Sequence, residues 1–289
     1  MIKLLHELSE KFPLVSDGAW GTQLQNMGLP PGHCPDSWNI WHPDKVKQVA
    51  QSYVEAGSQI ILTNTFRSNR IALEEYGLAD RTVELNRRGV EISQQAAMRK
   101  AYVFASIGPS GKMLVTGEVE EAALQAAFLE QAKSLADGGA DALLIETMSD
   151  LTEALIALQA AQSTGLPVIV SMVFDSGKEK DYTMMGQTPE QCAKALKAAG
   201  ADGIGANCGQ GIEGFITICS RLKQSSQLPI WIKPNAGLPE IINGTTVYRT
   251  TAQQFASYVP DLIRAGADFI GGCCGTSPDF IREIVKILK

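Results

Sequence analysis

Two adjacent cysteines, Cys273 and Cys274, stand in the glycine-rich stretch Phe269-Ile270-Gly271-Gly272-Cys273-Cys274-Gly275-Thr276. Neighbouring Cα atoms lie about 3.8 Å apart, below the usual bridged range, so the pair is poorly suited to a disulfide and better suited to a metal. In an extended strand the two side chains point to opposite faces. Both reach one ion only where the chain turns just past the strand, and Gly271, Gly272 and Gly275 permit that turn. A structural zinc takes four protein ligands, whereas a catalytic zinc takes three and keeps one position open. Cys208, in Asn207-Cys208-Gly209, is the candidate third thiolate.

Three thiolates leave an open position that suits an incoming thiol, which a bound dication holds deprotonated at neutral pH. Alkyl transfer to sulfur is then the expected chemistry. A zinc hydroxide for hydrolysis is usually built with histidines and a carboxylate base, and His6, His33 and His42 all fall outside the strand ends. Spacing alone leaves structural or redox-active thiols open beside zinc, including a non-catalytic sensor built on Cys273 and Cys274. Cys192 and Cys219 lie in helical patterns and read as small buried hydrophobes, while Cys34 falls in a Pro/Gly-rich loop and is unassigned.

These cysteines need elements that bring distant residues to one rim. A marker repeats along the chain: Ala56-Gly57-Ser58, Gly139-Ala140-Asp141, Gly200-Ala201-Asp202 and Gly266-Ala267-Asp268 each precede an apolar run. Each glycine is expected to end a helix that feeds a strand. The spacings of 82, 61 and 66 residues each fit roughly two βα units. Further runs at Leu14–Asp17, Tyr102–Ile107, Val168–Val173 and Ile230–Lys233 bring the expected strands to eight, with helical patterns at 43–54, 122–136, 152–162, 189–199, 214–223, 252–265 and 278–288. The expected fold is α/β, a single TIM (β/α)8 barrel over residues 1–289. An open doubly wound sheet is the weaker alternative, since no Gly-x-Gly-x-x-Gly follows the first strand.

In such a barrel the chemistry gathers where strands end. Asp17-Gly18, Thr63-Asn64-Thr65, Glu146-Thr147, Asn207-Cys208, Pro234-Asn235 and Cys273-Cys274 all follow apolar runs, so Cys208 falls on the same rim as the pair. A net charge of −6 with no basic block argues against a nucleic-acid surface. Apolar runs such as Ala142–Ile145 are far too short to span a bilayer, and the first residues from Met1 lack a signal peptide's apolar core, so the expected location is the cytoplasm.

Seven blocks in order resemble the homocysteine S-methyltransferase family: Asp17-Gly18-Ala19-Trp20-Gly21-Thr22, Thr63-Asn64-Thr65-Phe66, Gly108-Pro109-Ser110-Gly111-Lys112, Glu146-Thr147-Met148-Ser149-Asp150, Asn207-Cys208-Gly209, Pro234-Asn235-Ala236-Gly237 and Gly271–Thr276. The resemblance implies Zn2+ held by Cys208, Cys273 and Cys274, homocysteine bound through sulfur, Glu146 on its ammonium, and amides of Gly18 to Thr22, with Gly21 among them, on its carboxylate. Asp17, Thr63, Asn64 and Asn235 are the remaining substrate-binding candidates. The stretches 108–112 and 234–239 look more like the homocysteine module of cobalamin-dependent methionine synthase. That implies a methylcorrinoid donor, and with no second barrel and no Asp-x-His-x-x-Gly stretch, one carried by a separate protein. Two departures keep other donors in view. Trp20 stands where many relatives have a smaller or more flexible residue, and Asn207–Gly211 is glycine-rich. With Trp38 and Trp41 nearby, the pocket could serve a corrinoid-linked demethylase acting on a methyl ether or thioether. S-methylmethionine is a further donor used within the family.

Overall fold

The computed structural model describes residues 3–242 and 245–289, so the reading of Met1 and Ile2 lies outside the described residues. Eight parallel strands make one sheet: β1 (Leu14–Val15), β2 (Ile60–Leu62), β3 (Tyr102–Ile107), β4 (Ala142–Met148), β5 (Val168–Met172), β6 (Gly203–Gly211), β7 (Ile230–Asn235) and, after a separate antiparallel hairpin of β8 (Glu240–Ile242) and β9 (Thr245–Val247), β10 (Phe269–Ile270). The ladder runs from β2 through β7 to β10 and β1. Gln59 closes the ring: its N–H donates to the Val15 carbonyl at 2.8 Å and its Oε1 accepts from the Val15 N–H at 3.1 Å. The expected (β/α)8 barrel is the fold that forms.

The repeated glycine marker has two roles in that ring. Gly57, Gly139, Gly200 and Gly266 take φ of 104°, 92°, 87° and 102°, the left-handed conformation that terminates a helix. The residue two positions later reaches sideways to the strand before it. Asp141 accepts from the Val103 N–H at 2.7 Å, Asp202 from Val168 at 3.0 Å and Asp268 from Ile230 at 2.8 Å, as Gln59 does from Val15. Consecutive strands are thus clamped in pairs at the face opposite the cysteines.

Period-two alternation sorts the strand side chains into two cores. Val15, Ile61, Val103, Leu143, Val170, Ile204, Ile232 and Ile270 pack outward against the helices. Leu14, Ile60, Leu62, Phe104, Leu144, Ile169, Trp231 and Phe269 fill the lumen, joined by Leu5 and Leu8 of α1 (Lys3–Ser9). Trp231 is the largest of these and lies between Phe104, stacked on it at 6.0 Å between centroids, and Phe269, tilted against it at 5.4 Å. Gly205 on β6 makes room for it, because a Cβ there would come within 2.1 Å of the Trp231 carbonyl oxygen. The apolar layers end one step up each strand, at Ser106, Glu146, Ser171, Asn207 and Lys233, all buried polar residues.

Some elements differ from the sequence reading. The Gly18–Thr22 turn is cut short by α2 (Trp20–Asn26), and the irregular loop after it holds a further helix, Trp38–Trp41. Helix Thr82–Ala97 lies between β2 and β3. The 252–265 pattern is two helices, Ala252–Ser257 and Val259–Ala265, because Pro260 cannot donate to a preceding turn and instead opens a new helix. Among the described residues no helix is long and apolar enough to cross a membrane.

Candidate active site

Two bulged strands shape the rim. The β4–β5 register shifts between Ile145 and Met148, and the β6–β7 register between Asn207 and Gly211. Within these bulges Thr147 and Cys208 adopt φ of 64° and 63°, a left-handed conformation that ordinary side chains rarely occupy and that marks functional positions. Asn207 locks both bulges. Its Oδ1 accepts from the Thr147 N–H at 2.9 Å and from Ser171 Oγ at 2.7 Å, and its Nδ2 donates to Thr147 Oγ1 at 2.7 Å. The same Nδ2 lies 3.9 Å from Cys273 Sγ.

The cysteine pair is fixed by a turn after β10. Cys273 N–H donates to the Pro234 carbonyl at 2.7 Å, Cys274 N–H to Asn235 Oδ1 at 3.1 Å, and Thr276 Oγ1 to the Cys273 carbonyl at 2.7 Å. The three glycines divide the work differently from the sequence reading. Only Gly275 has a positive φ, of 80°, whereas a Cβ on Gly271 would strike Ser16 Oγ and one on Gly272 would strike Thr276. Gly271 and Gly272 therefore allow close approach, and Gly275 makes the turn.

The sulfurs of Cys208, Cys273 and Cys274 lie within 4.8 Å of one another, with Cys208 and Cys274 at 4.0 Å. A tetrahedral zinc with Zn–S distances near 2.3 Å places its sulfurs about 3.8 Å apart, so the trio fits one such ion. The protons agree. Hydrogen bonds from Cys273 and Cys274 pull the Cys208 thiol down to about 3, while the same contacts push Cys274 up to about 12 and Cys273 well above its ordinary range. Burial and mutual contact thus oppose ionisation of all three sulfurs at once. A soft dication is what lets all three ionise together. Tyr248, whose ring covers Gly275, adds a hydroxyl beside Cys274.

Next to the cysteines opens a cavity of about 320 Å³. Its walls include Gly18 to Thr22, Thr63, Asn64, Phe66, Arg67, Ser106, Glu146, Lys233 and the three cysteines. Glu146 is buried and accepts a 2.5 Å hydrogen bond from Ser106 Oγ. Burial raises its pKa, against the opposing pull of Lys233 and Ser106. Helix α2 begins beside the cavity with no side-chain cap on Ala19, which leaves first-turn amides for an anion.

Other sequence candidates are already engaged. Asp17 is fully buried, accepts from Lys233 Nζ at 2.5 Å, from Trp20 Nε1 at 2.7 Å and from the Leu62 N–H at 2.7 Å, and is not on the cavity wall. Asn235 holds the Cys274 amide and is likewise off the wall. Thr63 bonds Thr65 at 2.5 Å and accepts from the Ser106 N–H at 3.0 Å, and Asn64 donates to Asn39 Oδ1 at 3.0 Å and the Pro35 carbonyl at 2.9 Å. Thr22 Oγ1 accepts from the Gly275 N–H at 3.3 Å. Of Trp20, Trp38 and Trp41, only Trp20 lines the cavity: Trp38 is buried against His42 and Lys45, and Trp41 is 54% exposed.

Three contributors were missed by the sequence reading: Asn207 as a positioning residue, Ser106 on Glu146, and Lys233. The strand parity could have found Lys233, because it shares a face with Trp231 two residues earlier.

Known proteins resemble this chain in sequence and in fold. A family model described as homocysteine S-methyltransferase matches residues 14–288. Methionine synthases of Mycobacterium leprae and Mycobacterium tuberculosis are each 32% identical over 97% of the chain, which spans about a quarter of their length (24% and 25%). The metallated form of the homocysteine methyltransferase MmuM from Escherichia coli superposes with a TM-score of 0.83 at 24% identity, covering 98% of this chain and 99% of that one. At that identity the superposition bears on the fold alone.

Proposed function

Starting from a chain that belongs to the homocysteine S-methyltransferase family, we propose that it moves a methyl group onto the sulfur of homocysteine, giving methionine, with Zn2+ held by Cys208, Cys273 and Cys274. The observation that carries this reading is the meeting of three cysteine sulfurs within 4.8 Å at one end of the barrel, beside a cavity bearing a buried carboxylate. When bound, zinc would supply sulfur activation, keeping the incoming thiol ionised at neutral pH. The chain's own residues do the rest.

Glu146 takes the substrate ammonium, a pairing that also relieves the cost of its burial, and Ser106 fixes the carboxylate that receives it. The amides at the start of α2 take the carboxylate end. Holding both ends of the amino acid aims its sulfur at the cysteines, so that orientation rather than a general base lowers the barrier. We take the donor to be a methylcorrinoid carried by a separate protein. The likeness to methionine synthases and the stretches 108–112 and 234–239 support that choice over S-methylmethionine or a methyl ether.

The test is zinc stoichiometry together with the zinc-edge X-ray absorption spectrum, with and without homocysteine. One zinc per chain and one added sulfur ligand on homocysteine binding are expected. Cys208→Ala should lose both the metal and methyl transfer. An unchanged zinc shell at saturating homocysteine would reject the substrate, and full zinc content in Cys208→Ala would reject the ligand set.

A further inference from the structure

Lys233 is a buried ammonium whose hydrogen-bonding capacity is mostly unspent. It is only 2% exposed, yet it lines the cavity. Strand β7 sends it inward above Trp231, whose ring centroid lies 5.8 Å from Nζ. An ammonium offers three donors, and the hydrogen bond to Asp17 Oδ1 at 2.5 Å uses one. Burial opposes its charge, but Asp17 and Glu146 outweigh that and keep it protonated. Desolvating a cation and leaving donors idle is costly unless something else occupies them.

The surroundings indicate what that is. Glu146 on the wall and Asp17 behind it both act on Lys233, and the cysteine trio lies beside them. The cavity wall carries two cations: Arg67 is paired with Glu75 at 3.1 Å, whereas Lys233 keeps free donors deep beside Glu146. The Asp17 it holds immediately precedes Gly18, the first residue of the Gly18 to Thr22 stretch that lines the same space.

We propose that Lys233 is the residue that makes the cavity specific for a thiol bearing an α-carboxylate: its free N–H donors take that carboxylate together with the α2 amides, while Glu146 takes the ammonium. This inference rests on the homocysteine reading and adds the residue that selects for the zwitterion. It distinguishes homocysteine from its decarboxylated counterpart, 3-aminopropane-1-thiol, which keeps the thiol and the amine.

The experiment is calorimetric binding of both thiols to the zinc-loaded protein and to Lys233→Met. Because that variant leaves Asp17 buried without its cation, the double variant Asp17→Asn with Lys233→Met is measured alongside it. The expected result is a roughly ten- to hundred-fold loss of homocysteine affinity, the size of a charge-assisted hydrogen bond, with 3-aminopropane-1-thiol bound as in the wild type. Retained discrimination in the double variant, or equal weakening of both thiols, would overturn the assignment of Lys233 alone. A wild-type protein that binds neither thiol would remove the homocysteine reading and this inference with it.

Discussion

Asp36 is a carboxyl in a place that does not favour its charge. It is almost fully buried on the cavity wall, with one oxygen accepting from Ser68 Oγ at 2.7 Å and from the Arg67 N–H at 3.0 Å. Burial pushes its pKa from 3.8 up to about 6 despite those bonds. The folded chain therefore holds this proton more tightly than the unfolded chain does. Stability contributed at low pH is lost as pH rises from 3.8 through about 6, and the loss is complete above that. The displacement corresponds to about 3 kcal/mol. Asp36→Asn keeps the accepting oxygen and removes the charge. It is expected to stabilise the protein by up to about 3 kcal/mol at pH 7.5 and by about half as much at pH 5. Urea denaturation across that range reads the difference, and a gain independent of pH would show that the carboxyl is not the cause.

Among the elements, the bulged ends of β4 and β6 convert a regular barrel into a site. Regular strands alternate, and regular alternation alone would not aim Cys208 at the turn after β10. The bulge does so at the cost of a left-handed Cys208, and Asn207, beside it on β6, ties it to Thr147 in the β4 bulge. Groups that orient metal ligands typically tune affinity by ten- to hundred-fold. Asn207→Ala is expected to weaken zinc binding by about that factor in a chelator competition while the circular dichroism spectrum of the barrel persists. Unchanged zinc affinity would mean that the bulges hold themselves. Sequence makes one part of this legible and hides the other. Apolar runs and glycine-ended helices declare the strands, and the rule that chemistry follows a strand end brings Cys208 and Glu146 to the right rim. Bulges carry no such signal, since they arise from side-chain bonds between strands 60 residues apart in sequence, as between Thr147 and Asn207. Lys233 was hidden for the opposite reason: it ends an apolar run, where a lysine reads as the point at which the strand surfaces. Helix α2 was masked by Gly18 and Gly21, which look like a longer turn.

At the scale of the whole molecule, the parts that fold the barrel and the parts that gather the cysteines are separate. The lumen cluster around Trp231 and the outer cluster under the helices contain none of Cys208, Cys273 and Cys274. Removing a metal from the trio should therefore leave the barrel folded, unlike a small domain whose core is the metal. The six cysteines make this measurable, because their environments fall into two classes. Cys34, Cys192 and Cys219 are buried, and burial pushes each thiol up to about 12, so their thiolate fraction at neutral pH is negligible. The trio is partly accessible and contains the one thiol that is strongly depressed, Cys208. As each disulfide-exchange reagent consumes a thiolate, its neighbours lose the hydrogen bonds that had fixed their protons. Titration of the chelator-treated native protein with such a reagent at pH 7.5 is expected to give three fast thiols. The zinc-loaded protein should give almost none, and the denatured chain all six. Far-ultraviolet circular dichroism of the chelated protein should match that of the loaded one. Six fast thiols after chelation would show that the metal holds the barrel together. Three fast thiols with zinc still bound would show that the metal sits elsewhere, because donation to zinc lowers the reactivity of each sulfur that holds it and slows its exchange.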